Sequence, residues 1–313
     1  MLGKTWFSYE MEETKYIWMD GVMINWNDAK IHVLSHSLHY GLGVFEGIRF
    51  YDTAKGPAIF RLRDHVERLF NGSICSGIKI PFSIEDIEKA IIETVKINNI
   101  KSGYIRPIVF YGYGKMGLNP TGAKVNIAIA CWPWEKYLSE SPIKVKTSSF
   151  IRIHPKSTKS ECKITGHYVN SIFASLEIHE KGYDEALLLD CQGNISEGPG
   201  ENIFIIKDNI LYTPKLGNIL KGITRDSIIK IAKDNKFKVK EKKLKLKDIY
   251  SANEAFFTGT AAEITSIGSI DDKPLKSSPG KITQELKTIF MDIVKGKLDK
   301  YESWLTYVNF KQQ

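Results

Sequence analysis

Short apolar runs that switch between a period of two and a period of 3.6 residues, cut by Gly, Pro, Asn and Asp, extend through this chain from about residue 15 onward. A chain so patterned buries its apolar faces by laying helices on sheets, the α/β (α+β) class. Residues 15–26 alternate around Asp20-Gly21, and VFEGIRFYDTAKGPAIF (44–60) reads as a second hairpin turned at Lys55-Gly56-Pro57. A helix is expected from Asp64, with Val66, Leu69 and Phe70 on one face and Arg68 near its second turn. Ser83 and Asp86 form a capping-box pair ahead of Ile84, Ile87, Ile91 and Val95 at helical spacing. YIRPIVFYGYG (104–114) reads as a strand with Tyr104, Arg106, Ile108 and Phe110 on one side, unusual company for an arginine. A glycine-punctuated loop (112–122) and the strand NIAIACWPW (126–134) follow, and WEKYLSESP reads as a connector.

The second half is mostly strands, among them DEALLLD (184–190), IFIIK (203–207) and ILYTP (210–214), with a tight Asp208-Asn209 turn. One helix is expected over 164–182 with Tyr168, Ile172, Ser175, Leu176 and His179 along a face. Another, RDSIIKIAKD (225–234), is expected to be capped by Thr224 and to turn Ile228, Ile229 and Ala232 inward. Neither repeats nor low-complexity segments occur.

The formal charge of +8 raises nucleic acid as a partner. Residues 233–248 hold eight Lys against Asp234, Glu241 and Asp248, 8 − 3 or +5, so the surplus is local. Phe237, Val239, Leu244 and Leu246 alternate with Lys there, the signature of a half-buried strand whose lysines guard an exposed sheet edge. No Arg cluster or nucleic-acid motif accompanies it, so no nucleic acid is expected. Cys75, Cys131, Cys162 and Cys191 form no CxxC pair, so reduced thiols are expected, with no disulfide framework and no metal site. No apolar run approaches the roughly 18 residues of a membrane span. The opening segment mixes acids, Lys and aromatics, unlike a signal peptide, which leads to the expectation of a cytoplasmic protein without membrane partners.

Six segments, HSLHYGLGVFEGIR (36–49), YIRP (104–107), KITGHYVNS (163–171), ISEGPGENIF (195–204), GITRD (222–226) and TGTAAEIT (258–265), resemble in order the branched-chain aminotransferases of the fold type IV pyridoxal-phosphate enzymes. WLTYVN (304–309) resembles the end of that family. The resemblance implies a small N-terminal α/β domain (1–134), a connector (135–145) and a larger C-terminal pseudo-barrel domain (146–313) that binds pyridoxal 5'-phosphate. Lys163 then matches the lysine that carries the cofactor as a Schiff base and moves the substrate's α-proton. Glu197 matches the carboxylate at the pyridine nitrogen and Tyr168 the phenol at the cofactor's O3′. For the phosphate, Ile223 and Thr224 offer backbone N–H groups at a helix N-terminus, where peptide dipoles favour an anion, and the resemblance adds Arg68 and Thr260.

For substrate, the resemblance assigns the α-carboxylate to Tyr104, Thr260 and the Ala261 N–H. Arg106, helped by Tyr40 and Tyr137, would pair with the side-chain carboxylate of glutamate, so that one site serves both apolar and acidic substrates. Phe45, Tyr40, Trp134, Tyr168, Met116 and Leu118 would form apolar walls. In that family Tyr40 and the 112–122 loop reach the neighbouring subunit's site, so a homodimer at least, or a hexamer, is implied. His167 replaces an Asn common in the family and Lys221 a frequent Pro. The expected reaction moves the amino group of L-leucine, L-isoleucine or L-valine to 2-oxoglutarate in ping-pong fashion. A D-amino acid aminotransferase or aminodeoxychorismate lyase of the same fold is the alternative, and a basic nucleic-acid-binding protein without turnover is the alternative from another class.

Overall fold

In the computed structural model, residues 11–134, 138 and 141–309 are described. Among them lie two eight-stranded sheets. The first holds β1 (Tyr16–Met19), β2 (Val22–Asn25), β3 (Gly43–Phe45), β4 (Ile48–Tyr51), β5 (Ala58–Phe60), β6 (Gly103–Tyr111) and β7 (Val125–Trp132). The distant strand Leu305–Tyr307 joins its edge beside β5, next to β4, β6, β7, β1 and β2 in that order, while β3 also pairs with β6. Its pairs are antiparallel, and Arg106 stands opposite Ala130. The second sheet holds β8 (Ile143–Thr147), β9 (Glu185–Leu187), β10 (Asn202–Lys207), β11 (Ile210–Thr213), β12 (Lys238–Glu241), β13 (Glu254–Gly259), β14 (Glu263–Ile270) and β15 (Lys273–Pro274). Its order is β12-β11-β10-β13-β14-β8-β9, with β15 on β14. It is mixed, with β12 parallel to β11 and β8 parallel to both β14 and β9.

Local chemistry explains the turns. Asp20 and Gly21 (φ 51° and 102°), like Asp208 and Asn209 (φ 51° and 59°), adopt the left-handed pairs whose twist suits two-residue hairpins. Among the described residues seven α-helices accompany the sheets: α1 (His36–Tyr40), α2 (Leu62–Cys75), α3 (Ile84–Ile97), α4 (Tyr168–His179), α5 (Ile223–Asp234), α6 (Leu246–Tyr250) and α7 (Lys281–Val294). The Ser83 capping box opens α3: its hydroxyl accepts from the Asp86 N–H while the Asp86 carboxylate accepts from the Ser83 N–H. Val66, Leu69, Ile87, Ile91 and Val95 then bury α2 and α3 against the first sheet. Each such side chain contributes roughly 1.5–3 kcal/mol of apolar transfer. A second core between α5, α7 and the second sheet takes in Tyr51, Ala58, Phe60 and Leu305 of the first, so the two sheets share buried surface.

Three expectations are corrected. The buried face of α4 is Ala174 and Ile178, whereas Ile172 and Leu176 are exposed together with Val169 and Phe173. This helix is apolar on two faces, and periodicity does not say which one meets the core. The N-cap of α5 is Gly222, with Thr224 its second helical residue. Within the Lys-rich stretch only Lys238–Glu241 is strand, at the sheet edge, whereas Leu244 is buried in the core and Leu246 opens α6.

The functional segment is held where the sheets meet. Ile164 bridges Val44 of β3, the Phe45 N–H donates to the Lys163 carbonyl at 3.2 Å, and the Gly166 N–H donates to the Gly41 carbonyl at 2.9 Å. No helix among the described residues is long and apolar enough to cross a membrane.

Candidate active site

Lys163 points into a cleft between the sheets, a cavity of about 160 Å³ whose walls include Phe45, Arg68, Tyr104, Arg106, Trp134 and Tyr168 on one side. Ile223, Thr224, Thr260 and Ala261 line the other. A deeper lobe, reached past Lys163 and Tyr168, contains Glu197, Arg152 and His167. The Lys163 Nζ lies 2.5 Å from the Tyr168 hydroxyl and 4.8 Å from the centre of the Phe45 ring, so an aromatic wall and a phenol fix the amine's direction.

At the deep end, Glu197 is 5% exposed. Its carboxylate accepts from Arg152 Nε at 2.6 Å, from Asn202 Nδ2 at 3.0 Å and from the Leu220 N–H at 3.1 Å. Burial pushes this carboxyl above its ordinary value, and Arg152 is the main opposing influence. A Cβ on Gly222 would stand 2.0 Å from the Asn202 side-chain oxygen, so only glycine lets Asn202 reach Glu197 there. Glu201, also buried beside the cleft, has its carboxyl pushed up to about 7 by burial. Its neighbour Glu185 is raised well above the ordinary range by burial and by Glu201.

At the opposite end, Ile223 and Thr224 are the first two residues of α5, whose leading N–H groups find no carbonyl within their own helix. Arg68 is aimed by Glu46, which is fully buried and accepts from its Nε at 2.6 Å and its Nη2 at 2.8 Å. Its Nη1 donates to the Lys221 carbonyl at 2.9 Å. Burial opposes the Glu46 charge, but Arg68 and His65 outweigh it and hold the carboxyl far below the usual carboxylate range. Burial in turn draws the His65 pKa down, against the pull of Glu46. Arg68 is thus an oriented donor with a neutralised charge rather than a free cation.

On the substrate side, Arg106 lies over the rings of Phe45 (4.9 Å) and Tyr104 (5.3 Å), with its Nη2 3.4 Å from the Tyr104 hydroxyl. Its Nε is buried without a partner among the described residues, as is the Thr258 hydroxyl on the cleft wall. These orphaned donors, an acid at one end and a helix start with an oriented guanidinium at the other, fit a phosphorylated, nitrogen-containing aromatic aldehyde. Gly47 makes room for Tyr104: a Cβ there would stand 1.8 Å from the phenol oxygen.

Of the residues singled out in the sequence, the cleft thus brings together Lys163, Tyr168, Glu197, Arg68, Ile223, Thr224, Thr260, Ala261, Tyr104, Arg106, Phe45 and Trp134. Tyr40, Met116 and Leu118 do not line it and are exposed, Leu118 at 89%. The Tyr40 hydroxyl instead accepts from the Gly117 N–H at 3.2 Å. Tyr137 lies outside the described residues. Glu46, His65, Arg152, Asn202 and Glu201 were not foreseen. For Glu46 a signal existed, a lone acid inside the apolar VFEGIRF run, whereas Arg152 sits in irregular chain with no local pattern.

The model of the amino-transferase class IV family matches residues 43–270. The chain belongs to that family. Over 297 residues it is 46% identical to a branched-chain-amino-acid aminotransferase of Pseudomonas aeruginosa, covering 93% of this chain and 97% of the relative. A relative of the same name from Escherichia coli K12 is 40% identical over 305 residues, covering 95% and 99%. A crystal structure of a T.th. branched-chain amino acid aminotransferase complexed with N-(5'-phosphopyridoxyl)-L-glutamate superposes with a TM-score of 0.93 at 42% identity, covering 95% of this chain and 99% of that one. Class IV aminotransferases use pyridoxal phosphate, and the cleft belongs to an enzyme of that kind.

Proposed function

We propose that this class IV aminotransferase moves the amino group of L-leucine, L-isoleucine or L-valine to 2-oxoglutarate, with Lys163 as its catalytic amine. The observation that carries this reading is the placement of Lys163 Nζ against Tyr168, between the Glu197–Arg152 pair and the first turn of α5. Bound pyridoxal phosphate supplies the electron sink that makes the substrate's α-hydrogen acidic. Arg68, Thr260 and the Ile223 and Thr224 N–H groups would hold its phosphate, Glu197 its ring nitrogen and Tyr168 its phenolic oxygen. Lys163 Nζ, oriented by the Tyr168 hydroxyl, takes the proton from substrate Cα. The Tyr104 and Thr260 hydroxyls and the Ala261 N–H clamp the α-carboxylate. Phe45, Trp134 and Tyr168 shape an apolar wall for a branched side chain. The Nε of Arg106, which has no partner among the described residues, remains for the side-chain carboxylate of glutamate, so two unlike substrates share one cleft.

The working unit is a homodimer at least. Val33, Leu38, Tyr40, Met116 and Leu118 are exposed apolar side chains that a second subunit would cover, bringing Tyr40 and the 112–122 loop to the neighbour's substrate. Two domains, 1–134 and 146–313, joined through 135–145, suit the two sheets, although the last strand returns to the first. Four free cysteines suit a cytoplasmic location.

Borohydride reduction of the yellow holoenzyme followed by peptide mapping tests the core of this reading. Label on Lys163, a visible band lost in Lys163→Ala, and turnover of leucine, isoleucine and valine with 2-oxoglutarate are expected. Label on a different lysine, or turnover of D-alanine alone, refutes it.

A further inference from the structure

Beside the cleft, sharing Arg68, Gly222 and Ile223 with its wall, runs a second groove of about 450 Å³. Cys75, the last residue of α2, meets Glu161 and Cys162 in its wall. The two sulfurs and a Glu161 carboxylate oxygen lie within 4.8 Å of one another. Their spacing in sequence is that of no metal motif; the fold alone assembles them.

We propose that Cys75, Cys162 and Glu161 bind one thiophilic divalent cation of the zinc class, and that its occupancy restrains the amine of Lys163. Two thiolates with one carboxylate select a borderline-soft ion over magnesium or calcium, which prefer oxygen alone. Zinc–sulfur bonds of about 2.3 Å and zinc–oxygen bonds of about 2.1 Å at tetrahedral angles put ligand atoms roughly 3.5–3.8 Å apart, so the present cluster closes with side-chain movement only. The three side chains leave a fourth tetrahedral position for water. Binding releases the two thiol protons and forms two metal–sulfur bonds and one metal–oxygen bond, without change of oxidation state.

The consequence for turnover follows from chain connectivity. Cys162 precedes Lys163 directly, and Arg68 sits seven residues before Cys75 on the same helix, close to the same helix face. An ion bridging Cys75 to Cys162 ties the end of α2 to the peptide that presents the amine, and catalysis by Lys163 requires that amine to change partners. This second half of the proposal rests on the role given to Lys163 above; binding itself does not.

The test uses reduced holoenzyme titrated with cadmium chloride, read by the ultraviolet thiolate-to-metal band and by metal content after gel filtration, with zinc sulfate in the parallel activity assay. One cadmium per chain is expected, lost in Cys75→Ser and in Cys162→Ser, weakened at least about tenfold in Glu161→Gln, and unchanged in Cys191→Ser. Zinc should inhibit transamination reversibly, with chelator restoring the rate, and Cys75→Ser should keep its activity while becoming insensitive to zinc. Circular dichroism of Cys75→Ser separates loss of the site from loss of the fold. Absence of the band at metal equimolar with protein, or its persistence in a folded Cys75→Ser, overturns the site. Stoichiometric binding with no inhibition overturns only the coupling to Lys163.

Discussion

Replacing Arg152 by Met isolates what holds Glu197 ionised. The pair is buried on both sides, with side-chain exposures of 9% and 6% and a 2.6 Å contact. Two unit charges about 4 Å apart at an effective dielectric of about 20 interact by about 4 kcal/mol, so Arg152 strongly favours the ionised carboxyl. Burial already lifts Glu197 above its ordinary value while Arg152 opposes it, so loss of Arg152 should raise the carboxyl further and reduce its ionised fraction at pH 7. A carboxyl that is protonated more of the time holds a protonated ring nitrogen less well, and the electron sink would weaken. The expected loss in kcat at pH 7 is on the order of 10²-fold, with KM changed much less, because the lost interaction grows toward the transition state.

A pH profile separates this account from simple misfolding. The variant's kcat should rise with pH relative to the wild type, since the carboxyl regains its charge as pH passes through the raised value. Arg152→Lys should recover part of the rate because it restores charge, though not the Nε geometry. Steady-state rates with leucine and 2-oxoglutarate across pH, beside a thermal melt for each variant, decide the matter. Should Arg152→Met keep kcat within about threefold of wild type with an unchanged pH profile, the proposed role of the pair would be refuted.

Glu46→Gln removes the bidentate partner of Arg68, so the cofactor should dissociate about 10- to 100-fold more readily in equilibrium dialysis of the apoenzyme. Gly47→Ala places a methyl where the Tyr104 phenol now stands, and should raise KM for amino acid and 2-oxo acid together by about tenfold in steady-state assays. Glu201→Gln tests the buried carboxyl pushed up to about 7. A carboxyl whose folded value exceeds its unfolded one contributes stability that is complete below the unfolded value and is lost as pH rises through the folded one. The unfolding free energy of apo Glu201→Gln, from urea titration, should therefore gain on that of the wild type between about pH 5 and 8, by on the order of 1–3 kcal/mol, and a difference independent of pH would show that Glu201 does not titrate there.

What the sequence made legible was local or chemical in type. The Asp20-Gly21 and Asp208-Asn209 turns and the Ser83 capping box are each decided by a few neighbouring residues, and they form as expected. The six segments that mark the cleft were legible through their resemblance to the branched-chain aminotransferases of fold type IV, which also supplied the roles of the amine, the acid and the carboxylate clamp. Orientation and protonation were not legible, since both are set by partners far off in the chain. The inward face of α4 depends on which of its two apolar sides meets β9, and the charge of Glu197 depends on an arginine 45 residues upstream that carries no local pattern. The same reasoning covers Glu46 and Arg68, 22 residues apart, each of which would be costly to bury alone and becomes tolerable only through the other. The resemblance of a few segments therefore announces which reaction is expected of the site, while the ionisation that lets it run is a property of contacts the fold creates. Substitutions at Glu46 and Arg152, not at Lys163, are the ones that measure how much of the activity this particular fold supplies.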